Sequence, residues 1–267
     1  MISSTANEKV KHVAALQKKA SLRVEEGVFV VEGVRLFEEV PPERIKEAYL
    51  TEEAFARLKE RGHIDCDKLI SDSRVETVSE TVFEKMSDVK TPQGALAVVK
   101  RRSFDWPELF PEGKPALLLL LEEIQDPGNL GTILRTAEAA GATGLVLGGD
   151  TADVYSPKVV RSSMGAIFRL PCLCVSRLPI CFSTLHSRGV KIYAAAADGA
   201  LPFAERDYSG GTAFIIGNEG NGLKKETIDA ADGAVSIPMA GKTESLNAAV
   251  SAALLMYEAA RQRGYKS

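Results

Sequence analysis

Two textures of hydrophobic and polar positions meet near residue 100. In the first hundred residues, short apolar runs alternate with short amphipathic ones. Val10, Val13 and Leu16 recur at helical spacing among lysines, which predicts a helix over residues 7–20. Residues 29–31 read as a strand that turns through Glu32 and Gly33 into a helix over 34–40. Strands follow at 48–50, 69–70, 75–78 and 95–99, with helices at 52–61 and 80–86. Residues 101–113, with Trp106, Pro107, Pro111 and Gly113, read as a linker.

Beyond it the strand-then-helix alternation is stronger. The unbroken apolar run 116–121 has the pattern of a strand buried on both faces of a parallel sheet. A helix over 129–140 stops at Gly141, a residue suited to the left-handed position after a helix. A strand at 144–147 follows, and Ser156 and Pro157 read as N-cap and first residue of a helix to Met164. Strands are predicted near 171–175, 190–196, 212–216 and 234–237, and helices near 178–188, 222–230 and 245–262. The alternation implies a mostly parallel sheet covered on both faces. The expected division is a small α/β domain over 1–102, a linker over 103–114 and a larger α/β domain over 115–267.

Composition changes this picture little. At 45% hydrophobic and 26% charged the chain reads as an ordinary globular protein, and no apolar run approaches the length of a membrane span. No secretory signal is legible at the N-terminus. Cys66, Cys172, Cys174 and Cys181 lack paired CxxC spacing and read as buried reduced thiols, so a cytoplasmic protein without a metal is expected. The net charge of −3 argues against a generally basic nucleic-acid binder, but the distribution matters more. Lys9, Lys11, Lys18, Lys19 and Arg23 cluster in the first 23 residues, and Lys100, Arg101 and Arg102 form a second group. Solvated helix faces and phosphate contacts are both open for these clusters.

Three later segments carry the chemistry. The first runs from Asp126, Pro127, Gly128 and Asn129 to Arg135 and Thr136. The second is Ile216, Gly217, Asn218, Glu219, Gly220, Asn221, Gly222 and Leu223. The third follows Ile237, Pro238, Met239, Ala240 and Gly241, and reads Lys242, Thr243, Glu244, Ser245, Leu246 and Asn247 ahead of an Ala-rich helix opened by Ser245. No P-loop spacing occurs, and no dinucleotide fingerprint is well supported. Glycines 217, 220 and 222 serve either as turn residues or as bare backbone against a ligand at a strand's carboxyl end. Arg135 offers a planar fork for a phosphate near a helix N-terminus, or else pairs with Glu138.

In this order the three segments resemble the signature motifs of the SpoU (TrmH-like) RNA ribose 2′-O-methyltransferases, part of the SPOUT class. The resemblance covers about residues 117–262. It implies transfer of a methyl group from S-adenosylmethionine to a ribose 2′-hydroxyl in RNA, ribosomal RNA being the leading substrate. Transfer RNA is the alternative substrate, and a non-catalytic RNA-binding protein of the same fold the alternative class. By the same resemblance Arg135, Asn129, Glu219, Ser245 and Asn247 are the catalytic set. Gly217, Ile237, Met239 and Leu246 then hold the donor. A deep trefoil knot and a homodimer are further implications. Residues 1–100 resemble an L30e-like substrate-binding domain, through the segment Phe29–Arg35 and through Thr91, Pro92, Gln93 and Gly94. Lys9, Lys11, Lys18, Lys19, Arg23 and Arg35 are its candidate RNA contacts.

Overall fold

A computed structural model describes residues 1–62, 66–72, 74–196 and 200–264, with the side chains of residues 66 and 67 outside the description. The chain divides into two compact units, Met1–Arg102 with Asp153–Phe168, and Ser103–Ala152 with Arg169–Ser267.

The second unit is built on a seven-stranded sheet. Its strands are β5 (Leu117–Glu122), β6 (Gly144–Gly148), β7 (Cys172–Val175), β8 (Lys191–Ala195), β9 (Leu201–Pro202), β10 (Thr212–Ile216) and β11 (Gly233–Ser236). The spatial order is β7-β6-β5-β10-β8-β11-β9, and every pairing is parallel. Five consecutive leucines of β5 are essentially inaccessible to solvent, because helices cover both faces of a parallel sheet. Each such leucine contributes roughly 2 kcal/mol relative to exposure. From β5 the chain winds outward through β6 to β7, and its later strands lie on the other side of β5. The winding direction therefore reverses between β5 and β10, which pair in register up to Leu121 and Ile216. Their loops leave the sheet side by side at the carboxyl end, where open α/β sheets bind ligands.

The first unit holds a four-stranded sheet in the order β1-β4-β2-β3, from β1 (Val28–Glu32), β2 (Ile45–Leu50), β3 (Val75–Thr77) and β4 (Ala95–Lys100). Val10, Val13 and Leu16, on the helix Glu8–Lys18, join Tyr49, Phe83 and Leu96 in one core. The segment Asp153–Phe168 adds Tyr155 and Phe168 against Phe29, with ring centroids 4.8 and 6.2 Å apart.

Several local expectations are corrected. Residues 69–70 lie in the helix Cys66–Ser71, since a short apolar pair suits a helix face as well as a strand. The last helix is Ala248–Gln262 and is capped by Asn247, whose Oδ1 accepts from the amides of Ala249 and Val250; Ser245 lies in the preceding loop. Ser156 precedes Pro157 as expected, but its hydroxyl makes no cap bond. Cys181 is buried, and burial pushes its thiol up to about 11. Cys172 is half-buried with its thiol pushed up for the same reason, whereas Cys174 is exposed. The side chain of Cys66 falls outside the described residues.

Candidate functional site

The three sequence segments converge on the carboxyl ends of β5, β10 and β11. After β5 the chain turns through Glu123, a non-glycine residue at φ 56°, and enters the helix Pro127–Ala139. Asp126 caps that helix by accepting from the Asn129 amide at 2.8 Å, and Pro127 suits a first-turn position that needs no N–H. Asn129 consequently emerges beside the loop that follows β10.

That loop is organised by Asn218. Its backbone exchanges two 3.0 Å hydrogen bonds with Gly222, its Oδ1 accepts from the amides of Gly220 and Asn221, and its Nδ2 donates to the Glu123 carbonyl at 2.8 Å. The base of the loop is fixed by Glu122, a buried carboxylate at the end of β5. It accepts from the Lys224 amide at 2.8 Å and from the Thr227 hydroxyl at 2.5 Å. Sequence reasoning missed Asn218, Glu122 and Thr227. A polar residue one glycine beyond an apolar strand and a carboxylate ending one were the available signals.

Glu219, at the tip, points back across the strand ends. Its carboxylate accepts from the Gln125 amide (3.2 Å), the Asp126 amide (3.3 Å) and Asn129 Nδ2 (2.9 Å). Burial raises this carboxyl, but those bonds together outweigh it and hold the group below the ordinary carboxylate range. With its amide committed to Glu219, Asn129 turns Oδ1 to Asn247, which donates from Nδ2 at 2.9 Å. Asn247 in turn caps the last helix. One directional chain of bonds thus runs from the helix Ala248–Gln262 through Asn247 and Asn129 to Glu219, joining all three segments.

Beside this chain lies a cavity of about 730 Å³, within the range of small-molecule sites. Gly217, Ile237, Met239 and Leu246 all line it, as do Glu219 and Ser245. Gly217 is required there for a reason other than ligand approach. A Cβ at this position would meet the Gly222 carbonyl carbon at 2.5 Å and the Leu223 nitrogen at 2.7 Å, so the glycine closes the loop on its own backbone.

Arg135 stands apart from the bonded chain. It is exposed on the helix Pro127–Ala139, and no hydrogen bond or ion pair joins it to another described residue. Glu138, its expected alternative partner, is bonded by Arg169 at 2.5 Å. The basic cluster in the first unit is thinner than the sequence implied. Arg23 is buried, with its guanidinium on Asp153 (2.6 Å) and the Leu16 carbonyl (2.7 Å), so its charge is committed within the first unit instead of standing on the surface. Lys9 pairs with Glu76 and Lys11 with Glu8, while Lys18, Lys19 and Arg35 are exposed and bonded to no other described residue. Arg101 stacks over Tyr155 at 4.2 Å. Among the described residues no group of His, Cys, Asp or Glu converges as metal ligands, and no helix is long and apolar enough to cross a membrane.

A parallel sheet with three loops tied at its winding reversal, around a ligand-sized cavity, defines an α/β enzyme fold with its site at the strand ends. Comparison with known proteins gives the family. Residues 116–257 match the SpoU rRNA Methylase family, and residues 7–97 match the MRM3-like substrate binding domain. The 23S rRNA (guanosine(2553)-2′-O)-methyltransferase RlmP of Bacillus subtilis is 36% identical over 261 residues, covering 96% of this chain and 97% of the relative. An AdoMet-bound rRNA methyltransferase from Sinorhizobium meliloti superposes with a TM-score of 0.84 at 28% identity, over 97% of each chain. The SpoU methyltransferase AviRb from Streptomyces viridochromogenes, in complex with AdoMet, gives 0.81 at 30% identity, over 96% of this chain and 98% of that one. This chain belongs to the SpoU rRNA methylase family.

Proposed function

We propose that this protein methylates a ribose 2′-hydroxyl of ribosomal RNA in the cytoplasm, with S-adenosylmethionine as donor. The observation that carries the reading is the bonded chain Asn247–Asn129–Glu219 beside a cavity lined by every residue expected to hold the donor. The cavity fits that ligand. Ile237, Met239 and Leu246 offer apolar surface for a flat ring, and Glu219 and Glu244 place carboxylates at the wall for a sulfonium cation. When bound, S-adenosylmethionine supplies an already electrophilic methyl carbon. A relative that spans both units supports ribosomal RNA, since the Bacillus subtilis protein is a 23S rRNA methyltransferase.

The chain's own residues then have distinct tasks. Glu219 and Asn129 hold the loop after β10 against the start of the helix Pro127–Ala139, which fixes the cavity wall. Asn247 fixes the Ser245–Leu246 segment to the same point. Arg135 holds the RNA phosphate and the developing 2′-oxyanion with its planar fork of donors. Ser245 lies on the cavity wall as a neutral hydroxyl able to orient the acceptor ribose.

The reading extends to assembly and topology. Val250, Leu254 and Tyr257 form an apolar stripe on the last helix with exposures of 46, 39 and 42%, so this face is not the one that packs on the sheet. Its occupant in this proposal is a second copy of the chain, which places Arg135 near a subunit interface. The return of the chain from β11 to the helix Ala248–Gln262 belongs to a trefoil knot. Of the basic residues in the first unit, Lys18, Lys19 and Arg35 remain as RNA contacts.

The test is Arg135→Ala. Methyl transfer to RNA should be abolished while calorimetric donor affinity stays within about twofold, because the proposed partners are phosphate and hydroxyl. Arg135→Lys should rescue poorly, since it keeps the charge and loses the fork. Near-normal turnover in Arg135→Ala would overturn the assignment.

A further inference from the structure

The first unit contains a second cavity, of about 590 Å³, that the proposed chemistry does not use. Its apolar wall is Leu36, Val89 and Met164. Gln93 lines it too, and the orientation of that side chain is fixed from behind. Its Oε1 accepts from the Val34 amide at 3.1 Å, at the start of the helix Val34–Glu38. Gly33 turns the chain into that helix at φ 107°, a conformation that favours glycine, next to Gln93 Oε1. The carbonyl end of Gln93 is therefore committed, and its Nε2 donates to no other described residue.

Met164 gives an independent signal. It adopts φ 48° between the buried Ser163 and Gly165, yet it is 49% exposed. A left-handed non-glycine residue costs roughly 1 kcal/mol or more, and such strain collects at binding sites. Holding a large flexible thioether in that conformation at a cavity wall is poor design for a surface turn. It suits contact with a flat aromatic ring, which methionine sulfur favours.

The charges narrow the ligand class. Arg61 is paired with Glu38 at 2.7 Å and Arg161 with Asp88 at 3.1 Å, and both arginines line the cavity. Carboxylates from Glu32, Glu38 and Glu39 line it as well, so a bare anion finds little net attraction. Arg35, also at the wall, is exposed and pairs with no other described residue. Apolar surface for a ring face, one fixed amide donor for a ring edge and one exposed guanidinium match a nucleotide. Single-stranded bases in RNA are commonly read by stacking and by edge hydrogen bonds.

We propose that this cavity takes one unpaired nucleobase of the RNA substrate. The base stacks on Met164, bonds the Gln93 amide along its edge and offers its phosphate to Arg35. The proposal rests on the reading that the chain acts on RNA, and gives its first unit a base-reading role beyond charge.

The chain has five methionines, and two of them report separately on the two cavities. Met164 lines this one and Met239 lines the cavity at the strand ends, while Met86 and Met256 are fully buried. Full-length protein carrying methyl-labelled methionine is titrated with each nucleoside 5′-monophosphate to millimolar concentration, and separately with S-adenosylhomocysteine. The expected result is a saturable shift of the Met164 methyl with at least one nucleotide, with Met86 and Met256 unmoved. Gln93→Glu keeps the acceptor for the Val34 amide and removes the donor, so nucleotide affinity should fall about tenfold or more. Arg35→Ala, at an exposed side chain, should weaken it several-fold. A Met164 signal indifferent to all four nucleotides, with Met239 still responding to S-adenosylhomocysteine, overturns the proposal and leaves the methyltransferase reading standing. So does unchanged nucleotide binding in both folded variants. Met164 responding while Met239 ignores the donor product supports the base site and counts against the methyltransferase reading instead.

Discussion

Replacing Asn247 by Asp isolates the bonded chain from the helix cap that shares the same side chain. Asn247 Oδ1 caps the helix Ala248–Gln262, and its Nδ2 donates to Asn129. Aspartate caps as well as asparagine, and its charge at a helix N-terminus adds about 0.3–1 kcal/mol. The melting temperature of Asn247→Asp should therefore hold or rise slightly. The other end of the side chain changes sign. A carboxylate oxygen would face Asn129 Oδ1, which accepts at 2.9 Å in the native chain. Asn129 then either tolerates two facing acceptors or flips, which turns its oxygen towards Glu219 and breaks the 2.9 Å bond there. A hydrogen bond to a charged group is worth about 1.5–3 kcal/mol, and partial exposure favours the lower end. A loss of roughly 1.4 kcal/mol is a tenfold loss in affinity. Donor binding by calorimetry and methyl transfer to RNA should each fall about tenfold in a protein that melts normally. Asn247→Ala is the control, losing about 1 kcal/mol of capping and melting about 2–4 °C lower. Wild-type donor affinity and turnover in Asn247→Asp would refute the idea that the chain of bonds holds the site.

Two further outcomes follow from the loop after β10. Gly217→Ala places a Cβ against the Gly222 backbone, and overpacking of this kind costs about 1–3 kcal/mol, so melting temperature and donor affinity should fall together; an unchanged pair in a folded variant would move the pocket elsewhere. The Glu219 carboxyl is held below its ordinary value of 4.5, so its contribution is present above that value and lost as pH falls through the lowered one. Donor affinity should accordingly drop on acidification below about 4.5, and Glu219→Gln should flatten that acid limb; an identical acid limb in the variant would reassign the titrating group.

Much of the second unit was legible because its signals are local. A run of five leucines, a Pro at a helix start and glycines after strand ends each declare a strand, a cap or a loop within a few residues. The convergence of Asn129, Glu219 and Asn247 was legible only through the resemblance of motifs that lie far apart in the chain. The residues that build the loop were not legible, since their roles depend on partners far along the chain. Asn218 bonds a residue 95 positions away, and Glu122 bonds residues 102 and 105 positions away. The same holds for Arg23, which reads as one more surface cation until Asp153, 130 positions on, takes it into the first unit. The sequence assigns Ser245 a cap that belongs to Asn247, because two polar residues two positions apart before an Ala-rich run carry the same local signal. The sequence marks Gly217 as bare backbone for a ligand, whereas its close approach in the folded loop is to Gly222.

The central claim is tested most directly by the product itself. Purified protein is incubated with ribosomal RNA that lacks the modification and with S-adenosylmethionine bearing a deuterated methyl group. The RNA is then digested to nucleosides and read by mass spectrometry. The predicted result is a labelled nucleoside whose fragmentation leaves the label on the ribose, absent when Arg135→Ala is used. Label on the base, or no label in a preparation that binds the donor, would contradict the account.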